Sequence, residues 1–289
     1  MQTAKVWMNG IIQTYLPRWR TAMIIVSARK NFNNPDVLSS SGHIFKEVDL
    51  DSDATIVDIS SEQNFLNRLN DKKVLFLIHG YNNEQDEVND AYAVIEKNVN
   101  LHMQGEYDLV IGYSWPGGDR GLEWWQSKSR ANAVARRLRF LLEKMSGVTS
   151  SLDLMSHSLG ARVTLKALKQ SNLSSLIRHY YCTAAAVDNE VLEENEEFSD
   201  SLSKVEKLFV LHSCKDGVLS VIYRMAEWDN ALGLFGPEDR AYILNKAKNV
   251  YVANCKKVVD SHGGYKRANS VYQYMSSSIN GNIQRFKTL

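Results

Sequence analysis

The sequence predicts an α/β protein with a mainly parallel central sheet, antiparallel strands at its N-terminal end and helices on both faces. Two observations support this fold class. From residue 73 onward, continuous apolar runs such as "VLFLI" alternate with segments whose apolar residues recur at helical spacing, a pattern typical of parallel strands buried beneath helices. Before residue 73, three strand-like segments follow one another with no long helix between them, which favours antiparallel pairing.

The elements of the first half are predicted from their period and their flanking residues. The N-terminal strands are "TAMIIVSAR" (21–29), "HIFKEVDL" (43–50) and "ATIVDIS" (54–60). The run "KVLFLIHG" (73–80) ends in glycine and leads through polar residues to a helix at "AYAVIEKNV". The strand "YDLVIGYSW" (107–115) follows, and then a helix over 123–145, because the apolar residues there fall on one face and the arginines lie off it.

The second half repeats the alternation. The stretch "SLDLMSHSLGARVTLKAL" (151–168) changes from strand to helix. Further strands are predicted at 178–187, 204–213 and 245–255, and a closing helix at 265–279. Residues 217–240 fit neither the two-residue period of a strand nor the 3.6-residue period of a helix. Their many apolar side chains predict either a lid or cap over a binding site or a helix packed on the sheet.

Length and composition favour one domain over residues 21–289. The chain carries 34 basic and 33 acidic side chains, so we expect no nucleic acid partner. Cys182, Cys214 and Cys255 lack the spacing of a disulfide framework or a zinc site, and no apolar run is long enough to cross a membrane. We therefore expect a cytoplasmic protein that holds no metal.

Residues 1–20 are predicted to form an N-terminal extension of the mature chain. The stretch has a short, interrupted apolar run but no small-x-small cleavage site before Arg18 and Arg20, which argues against a signal peptide. A peripheral helix that contacts a membrane is an alternative for this extension. The oligomeric state is left open by the sequence.

The corner between strand and helix at Ser158 carries the strongest chemical signal. A serine on such a turn stands exposed above the sheet in a strained backbone conformation, which requires small residues two positions to either side. Ser156 and Gly160 meet that requirement. The amides at the start of the following helix also favour negative charge on a bound oxygen. The pattern therefore predicts a nucleophile, although a serine N-cap is the plain structural alternative.

A serine nucleophile needs a base, and the base needs an acid that orients it. In this kind of fold the chain order is nucleophile, acid, base, with each partner on a loop after a later strand. His262 follows the last predicted strand in "VVDSHGGYKR", and Asp216 follows the strand before it in "VLHSCKDGV". Asp188 is an alternative acid. His157 and His212 are predicted to serve packing or to line a pocket.

Two backbone amides are expected to stabilise the oxyanion of an acyl-transfer reaction. One is the amide of Leu159, directly after the predicted nucleophile, and the other comes from "IHGYNN", with Tyr81 as the expected donor. Gly80 permits close approach of this loop, and His79, Asn82 and Asn83 are expected to hold its shape. Three tryptophans follow this loop in the sequence: Trp115, in "SWPGG", and the pair Trp124 and Trp125. We expect at least one of them to lie in the core and another to form part of a pocket wall.

These motifs resemble the α/β-hydrolase superfamily, and within it a bacterial branch of serine hydrolases whose natural substrates are mostly unassigned. The likeness lies in "LFLIHGYNN", "IGYSWPGG", "LDLMSHSLGARV", "LHSCKD" and "DSHGGY", and it covers residues 21–280. It implies Ser158 as nucleophile, Asp216 as acid, His262 as base, and Tyr81 and Leu159 as oxyanion donors. Serine at the first position of the elbow and leucine after the nucleophile depart from the branch's Ala-His-Ser-Met-Gly.

The function expected from the sequence is hydrolysis of a carboxylic ester or a related acyl substrate through an acyl-enzyme, with no cofactor. The same machinery also serves amidases, thioesterases and acyltransferases. A binding protein that kept the hydrolase fold is the alternative from another class. A small acyl or ester compound is the expected partner.

Overall fold

The structure is a computed structural model that describes residues 5–8, 11–14, 22–81, 83–118, 124–281 and 283–289. The predicted extension at 1–20 lies largely outside these residues. Within it, β1 (Lys5–Met8) and β2 (Ile11–Thr14) pair as antiparallel strands. The described part of the extension is therefore β-structure where a peripheral helix was the alternative considered.

A ten-stranded sheet forms the centre of the protein. Its N-terminal strands are β3 (Ala22–Ser27), β4 (Ile44–Asp49) and β5 (Ala54–Ile59). The remaining strands are β6 (Lys73–Ile78), β7 (Leu109–Ser114), β8 (Ser151–His157), β9 (Ile177–Thr183), β10 (Val205–His212), β11 (Val250–Asn254) and β12 (Phe286–Thr288). The order across the sheet is β12-β11-β10-β9-β8-β6-β7-β3-β4-β5.

The pairing confirms the predicted mixture of parallel and antiparallel strands. β3 pairs antiparallel with β4, and β4 pairs antiparallel with β5. On its other side β3 pairs parallel with β7, and every pair from β7 to β12 is parallel. The side chains of 74–78 in β6 are fully buried, as expected for a central strand covered on both faces.

Eight α-helices are present in the described part of the chain. They are α1 (Glu62–Leu69), α2 (Gln85–His102), α3 (Trp124–Ser146), α4 (Gly160–Lys169), α5 (Arg224–Glu227), α6 (Leu232–Phe235), α7 (Arg240–Asn245) and α8 (Asn269–Asn280). α3 packs against α4, and α2 packs against α8. None of the described helices is both long and apolar enough to span a bilayer.

The chain reverses its direction across the sheet at β6. The connection through α2 leads to β7 on one side of β6, and the connection through α3 leads to β8 on the other side. Because crossovers between parallel strands are right-handed, α2 and α3 cover opposite faces. The carboxyl ends of the strands at such a reversal leave a crevice where ligands bind. β6 and β8 end there, at the predicted oxyanion loop and the predicted elbow.

Candidate active site

Ser158 occupies the junction between β8 and α4. Its φ of +55° lies in the left-handed region, which residues other than glycine rarely adopt. Backbone hydrogen bonds hold it there: the Ser158 amide donates to the Thr183 carbonyl at 3.1 Å, and the Ser158 carbonyl accepts from the Ala186 amide at 3.2 Å. The end of β9 and the residues that follow it thus hold the strained turn that the sequence predicted.

The small residues Ser156 and Gly160 are needed beside Ser158 for different physical reasons. A Cβ on Gly160 would lie 2.3 Å from the His79 carbonyl oxygen, so only glycine lets α4 begin so close to the end of β6. Ser156 is buried and its hydroxyl shares a 2.6 Å hydrogen bond with the Tyr180 hydroxyl. Serine at the first elbow position is therefore accommodated by a polar partner from β9.

Asp216 and His262, which the sequence predicted as acid and base, are in contact. His262 Nδ1 lies 2.7 Å from Asp216 Oδ2. The other carboxylate oxygen, Oδ1, accepts from the Leu219 amide at 3.0 Å, and Asp216 is fully buried. A carboxylate that accepts at Nδ1 holds the proton on that nitrogen and leaves Nε2 as the basic nitrogen of a neutral ring.

Ser158 and His262 line the same cavity. The Ser158 hydroxyl has no hydrogen-bond partner among the residues that the structure describes. In enzymes without bound substrate, catalytic hydrogen bonds are often long and tighten only in the substrate complex. The arrangement thus brings a serine hydroxyl, an imidazole and a buried carboxylate to one crevice.

The alternative residues have other partners. The Asp188 carboxylate accepts a 2.5 Å hydrogen bond from the Tyr223 hydroxyl. His212 Nδ1 faces the Leu234 carbonyl at 3.4 Å, and burial lowers the pKa of His212 to about 4. Neither residue is among those that line the cavity with Ser158.

The predicted oxyanion donors lie on two adjacent backbone segments. Leu159 is fully buried at the N-terminus of α4, and its amide donates to no other described residue. Tyr81 lines the cavity, and its ring meets Trp124 edge-on at 5.9 Å. A Cβ on Gly80 would lie 2.9 Å from Ser158 Cβ. The loop after β6 therefore contacts the elbow, and glycine is what permits this approach.

His79 and Trp115 hold the loop after β6 in place. The Trp115 indole donates to the His79 carbonyl at 2.8 Å, and the Trp115 amide donates to His79 Nε2 at 3.0 Å. His79 Nδ1 in turn lies 2.8 Å from the Gly80 carbonyl. Burial holds the pKa of His79 well below its usual value, so the ring is neutral and serves structure. Asn82, also expected to shape this loop, lies outside the described residues.

Arg29, two residues after β3, is a buried cation that the sequence analysis missed. Its side chain is fully buried, and its guanidinium donates to the Ser114 hydroxyl at 2.8 Å and to the Asn83 carbonyl at 3.0 Å. Burial lowers the pKa of Arg29 to about 10, which still leaves it charged at neutral pH. The second bond ties Arg29 to Asn83, which the sequence analysis expected to hold the shape of the predicted oxyanion loop.

His157, expected only to pack, contacts the loop that carries the predicted base. His157 Nε2 lies 2.8 Å from the His262 carbonyl oxygen, and the two imidazole rings are 4.6 Å apart. Burial, and to a lesser degree the neighbouring His262, lower the pKa of His157 to about 3. The neutral ring therefore donates its Nε2 proton to that carbonyl. No local pattern signals this bond, because its partners are 105 residues apart.

The cavity has a volume of about 220 Å³. It extends from Ser158 and His262 to an apolar region between β6, β8 and α2. The apolar side chains there are Leu77, Ile78, Tyr92, Ile95 and Met155. The tryptophans predicted to shape the pocket are placed differently: Trp115 and Trp124 are buried, Trp125 is 62% exposed, and none of the three lines the cavity.

The segment 217–240 begins directly after Asp216. It forms a π-helix (Leu219–Tyr223), then α5, α6 and the start of α7. Glu227 ties it to α3, accepting from the Trp124 indole at 2.6 Å and from Lys128 at 2.5 Å. None of its described residues lines the cavity, and its role as a lid stays a prediction.

The fold and the site together define a class. A mainly parallel sheet, a serine at positive φ between a strand and a helix, and an aspartate and a histidine after later strands are the features of an α/β hydrolase. The chain belongs to the family described as alpha/beta hydrolase of unknown function (DUF900), which matches residues 58–278. The resemblance and the fold class predicted from the sequence are thereby confirmed. No curated protein sequence matches the chain.

Several solved structures resemble this chain at low sequence identity. The product of the Listeria innocua gene lin2722 is 11% identical with a TM-score of 0.44, over 76% of this chain and 99% of that one. A Pyrococcus furiosus esterase is 13% identical with a TM-score of 0.41, over 72% and 81%. The acylaminoacyl peptidase of Pyrococcus horikoshii is 10% identical with a TM-score of 0.46, over 96% of this chain and 46% of that one.

Proposed function

We propose that this protein is a serine hydrolase that cleaves a carboxylic ester or a related acyl compound through an acyl-enzyme on Ser158. The observation that supports the proposal most is the elbow itself. A serine held at a φ of +55° costs free energy, on the order of 1–3 kcal/mol for such a conformation. A catalytic role for Ser158 would explain why this strained conformation is kept, and the 2.7 Å contact between His262 and Asp216 supplies the base and acid for that role.

The first half of the proposed reaction forms the acyl-enzyme. Ser158 Oγ attacks the carbonyl carbon of the ester while His262 Nε2 takes the hydroxyl proton. Asp216 stabilises the resulting imidazolium through its bond to Nδ1. The carbonyl oxygen becomes an oxyanion that accepts hydrogen bonds from the amides of Leu159 and Tyr81. The carbon–oxygen bond to the alcohol then breaks, and the alcohol leaves with the proton from His262.

The second half releases the acid. His262 Nε2 takes a proton from a water molecule as that water attacks the acyl carbon. The second tetrahedral intermediate uses the same oxyanion donors. Its collapse breaks the bond to Ser158 Oγ, which regains its proton from His262. The carboxylic acid leaves, and both the serine and the imidazole return to their starting states.

The dimensions of the cavity favour a short chain on one side of the ester. A volume of about 220 Å³ holds roughly seven groups of the size of a water molecule, at ~30 Å³ each. The apolar side chains of β6, β8 and α2 favour hydrocarbon there. We therefore expect hydrolysis to be fastest for acyl chains of roughly four to eight carbons, because longer chains would extend beyond the cavity.

Active-site labelling and an ester series test the proposal. A fluorophosphonate probe is expected to label the wild-type protein and the Ser277→Ala variant, which alters an exposed serine of α8, but not Ser158→Ala. p-Nitrophenyl esters from acetate to laurate are expected to be hydrolysed with the same dependence on Ser158. Labelling or hydrolysis that persists undiminished in Ser158→Ala would exclude the mechanism, and an unreactive wild-type protein would favour a binding protein.

A further inference from the structure

Lys266 gives the cavity an unusual charge. No aspartate or glutamate is among the described residues that line the cavity, and Lys266 supplies its one lysine or arginine side chain. Burial keeps the pKa values of the lining residues His79 and His157 low, so both rings are neutral near pH 7. Lys266 is therefore the one lysine or arginine among the described lining residues, and Asp216, whose carboxylate lies 2.7 Å from His262, is not itself part of the lining.

Hydrogen bonds fix the backbone of Lys266, whereas its ammonium forms no ion pair with any residue that the structure describes. The Lys266 carbonyl accepts from the Asn98 side chain at 3.1 Å and from the Tyr272 hydroxyl at 2.9 Å. Among the described residues, no carboxylate forms an ion pair with the Lys266 ammonium. Glu87 and Asp90 of α2 attract it from a longer distance.

Lys266 lines the same cavity as Ser158 and His262, the proposed nucleophile and base. Half-burial, and to a lesser degree the neighbouring Arg267, lower the pKa of Lys266. The Lys266 charge in turn contributes to the lowered pKa of His157, directly before Ser158. A partly desolvated cation that lacks an ion pair is stabilised when a ligand brings an anion to it.

We propose that Lys266 binds a carboxylate on the substrate, so that the preferred substrate is an ester of a short dicarboxylic acid. The apolar region beside β6 and α2 then holds the methylenes, and Lys266 holds the far end of the chain. A carboxylate suits this site because one of its oxygens can pair with the compact charge of a lysine ammonium, and its other end can continue into a hydrocarbon chain. This inference rests on the proposed hydrolase function and adds its substrate class.

A matched pair of substrates tests the inference. p-Nitrophenyl hexanoate and mono-p-nitrophenyl adipate have the same chain length and leaving group, and only the adipate carries a carboxylate. We expect kcat/KM for the adipate to exceed that for the hexanoate by about tenfold in the wild-type protein, since charged hydrogen bonds at partly buried sites are of that strength. Lys266→Met is expected to remove the preference, and Lys266→Arg to keep most of it.

A second lysine variant serves as the control for Lys266→Met. Lys257→Met, which alters an exposed lysine, is expected to retain the preference. Inhibition constants of adipamate and hexanamide on the wild-type protein give the same comparison without any variant, because only adipamate carries a carboxylate, and it is expected to bind about tenfold more tightly. Equal values for the two compounds, or a preference that survives Lys266→Met, would overturn the role of Lys266. Ser158-dependent hydrolysis of p-nitrophenyl hexanoate would leave the proposed function intact in that case, whereas the absence of Ser158-dependent hydrolysis of both esters would end both proposals.

Discussion

The hydrogen bond from His157 to the His262 carbonyl offers a test of how the predicted base is positioned. His157→Phe keeps a ring against His262, 4.6 Å away in the wild-type protein, but removes the 2.8 Å hydrogen bond. A neutral hydrogen bond contributes about 1 kcal/mol, and loss of base positioning raises the barrier by a comparable amount. We expect kcat to fall by about fivefold, the factor that corresponds to ~1 kcal/mol. His157→Gln restores an N–H donor and is expected to recover most of the rate.

The protonation of His157 should also affect how the stability of the protein depends on pH. The pKa of His157 is about 3 in the folded protein, and about 6.5 when the chain is unfolded. Between these values the unfolded chain binds a proton that the folded protein does not, so the wild-type free energy of unfolding falls as pH drops below 6.5. At pH 5.5 the loss from this group amounts to ~1.4 kcal/mol relative to pH 8.

Urea unfolding followed by tryptophan fluorescence measures this effect. His157→Gln lacks the titrating group, so its stability relative to the wild type should improve by ~1.4 kcal/mol between pH 8 and pH 5.5. The other buried histidines titrate in both proteins, and their contributions cancel in the comparison. A relative stability that stays constant across this range would refute a neutral His157, and an unchanged kcat in His157→Phe would refute its positioning of the base.

Three further predictions concern the neighbouring groups. Gly80→Ala places a Cβ 2.9 Å from Ser158 Cβ and should separate the predicted oxyanion loop from the elbow. We expect kcat in steady-state assays to fall by about 100-fold, and a rate within twofold of wild type would contradict this. Asp216→Asn is expected to lower kcat by ~10³–10⁴-fold because the amide no longer fixes the tautomer of His262. Asp188→Asn is expected to lower kcat by less than about tenfold. The reverse order would make Asp188 the acid. Glu227→Gln weakens the tie between 217–240 and α3, and is expected to cost about 1 kcal/mol of stability in urea unfolding, with an unchanged midpoint as the contrary result.

The sequence predicted the parallel part of the sheet because buried strands carry a strong and local signal. The apolar run at 73–80 became β6, and the change of period at 151–168 became β8, the elbow and α4. The three residues of the proposed catalytic set could be selected because their order along the chain matches the order of the strands. Their joint position at one sheet edge follows from the parallel topology.

Elements with weak or short signals were missed. α1 (Glu62–Leu69) was not predicted, although Ser61 caps it by accepting from the Asn64 amide, a start signal that a serine N-cap provides. β12 is three residues long, too short for a period to be visible. The paired strands β1 and β2 were not predicted either, because their segments lie in the stretch taken as an extension.

Long-range contacts account for the rest of what the sequence did not show. Arg29 ends a predicted strand and is buried only because Ser114 and Asn83 accept its hydrogen bonds, from positions 85 and 54 residues away. Trp115 was predicted to belong to the core or to a pocket wall, and its hydrogen bonds to His79 instead support the loop after β6. Pairings of this kind depend on the folded arrangement and leave no period or motif in the chain.

A crystal structure of the protein after reaction with a fluorophosphonate tests the central claim most directly. The phosphorus mimics the tetrahedral carbon, so the proposal predicts a covalent bond to Ser158 Oγ and a phosphonyl oxygen about 3 Å from the Leu159 amide nitrogen. It also predicts that His262 remains bonded to Asp216. An adduct on another residue, or a phosphonyl oxygen turned away from the Leu159 amide, would contradict the account.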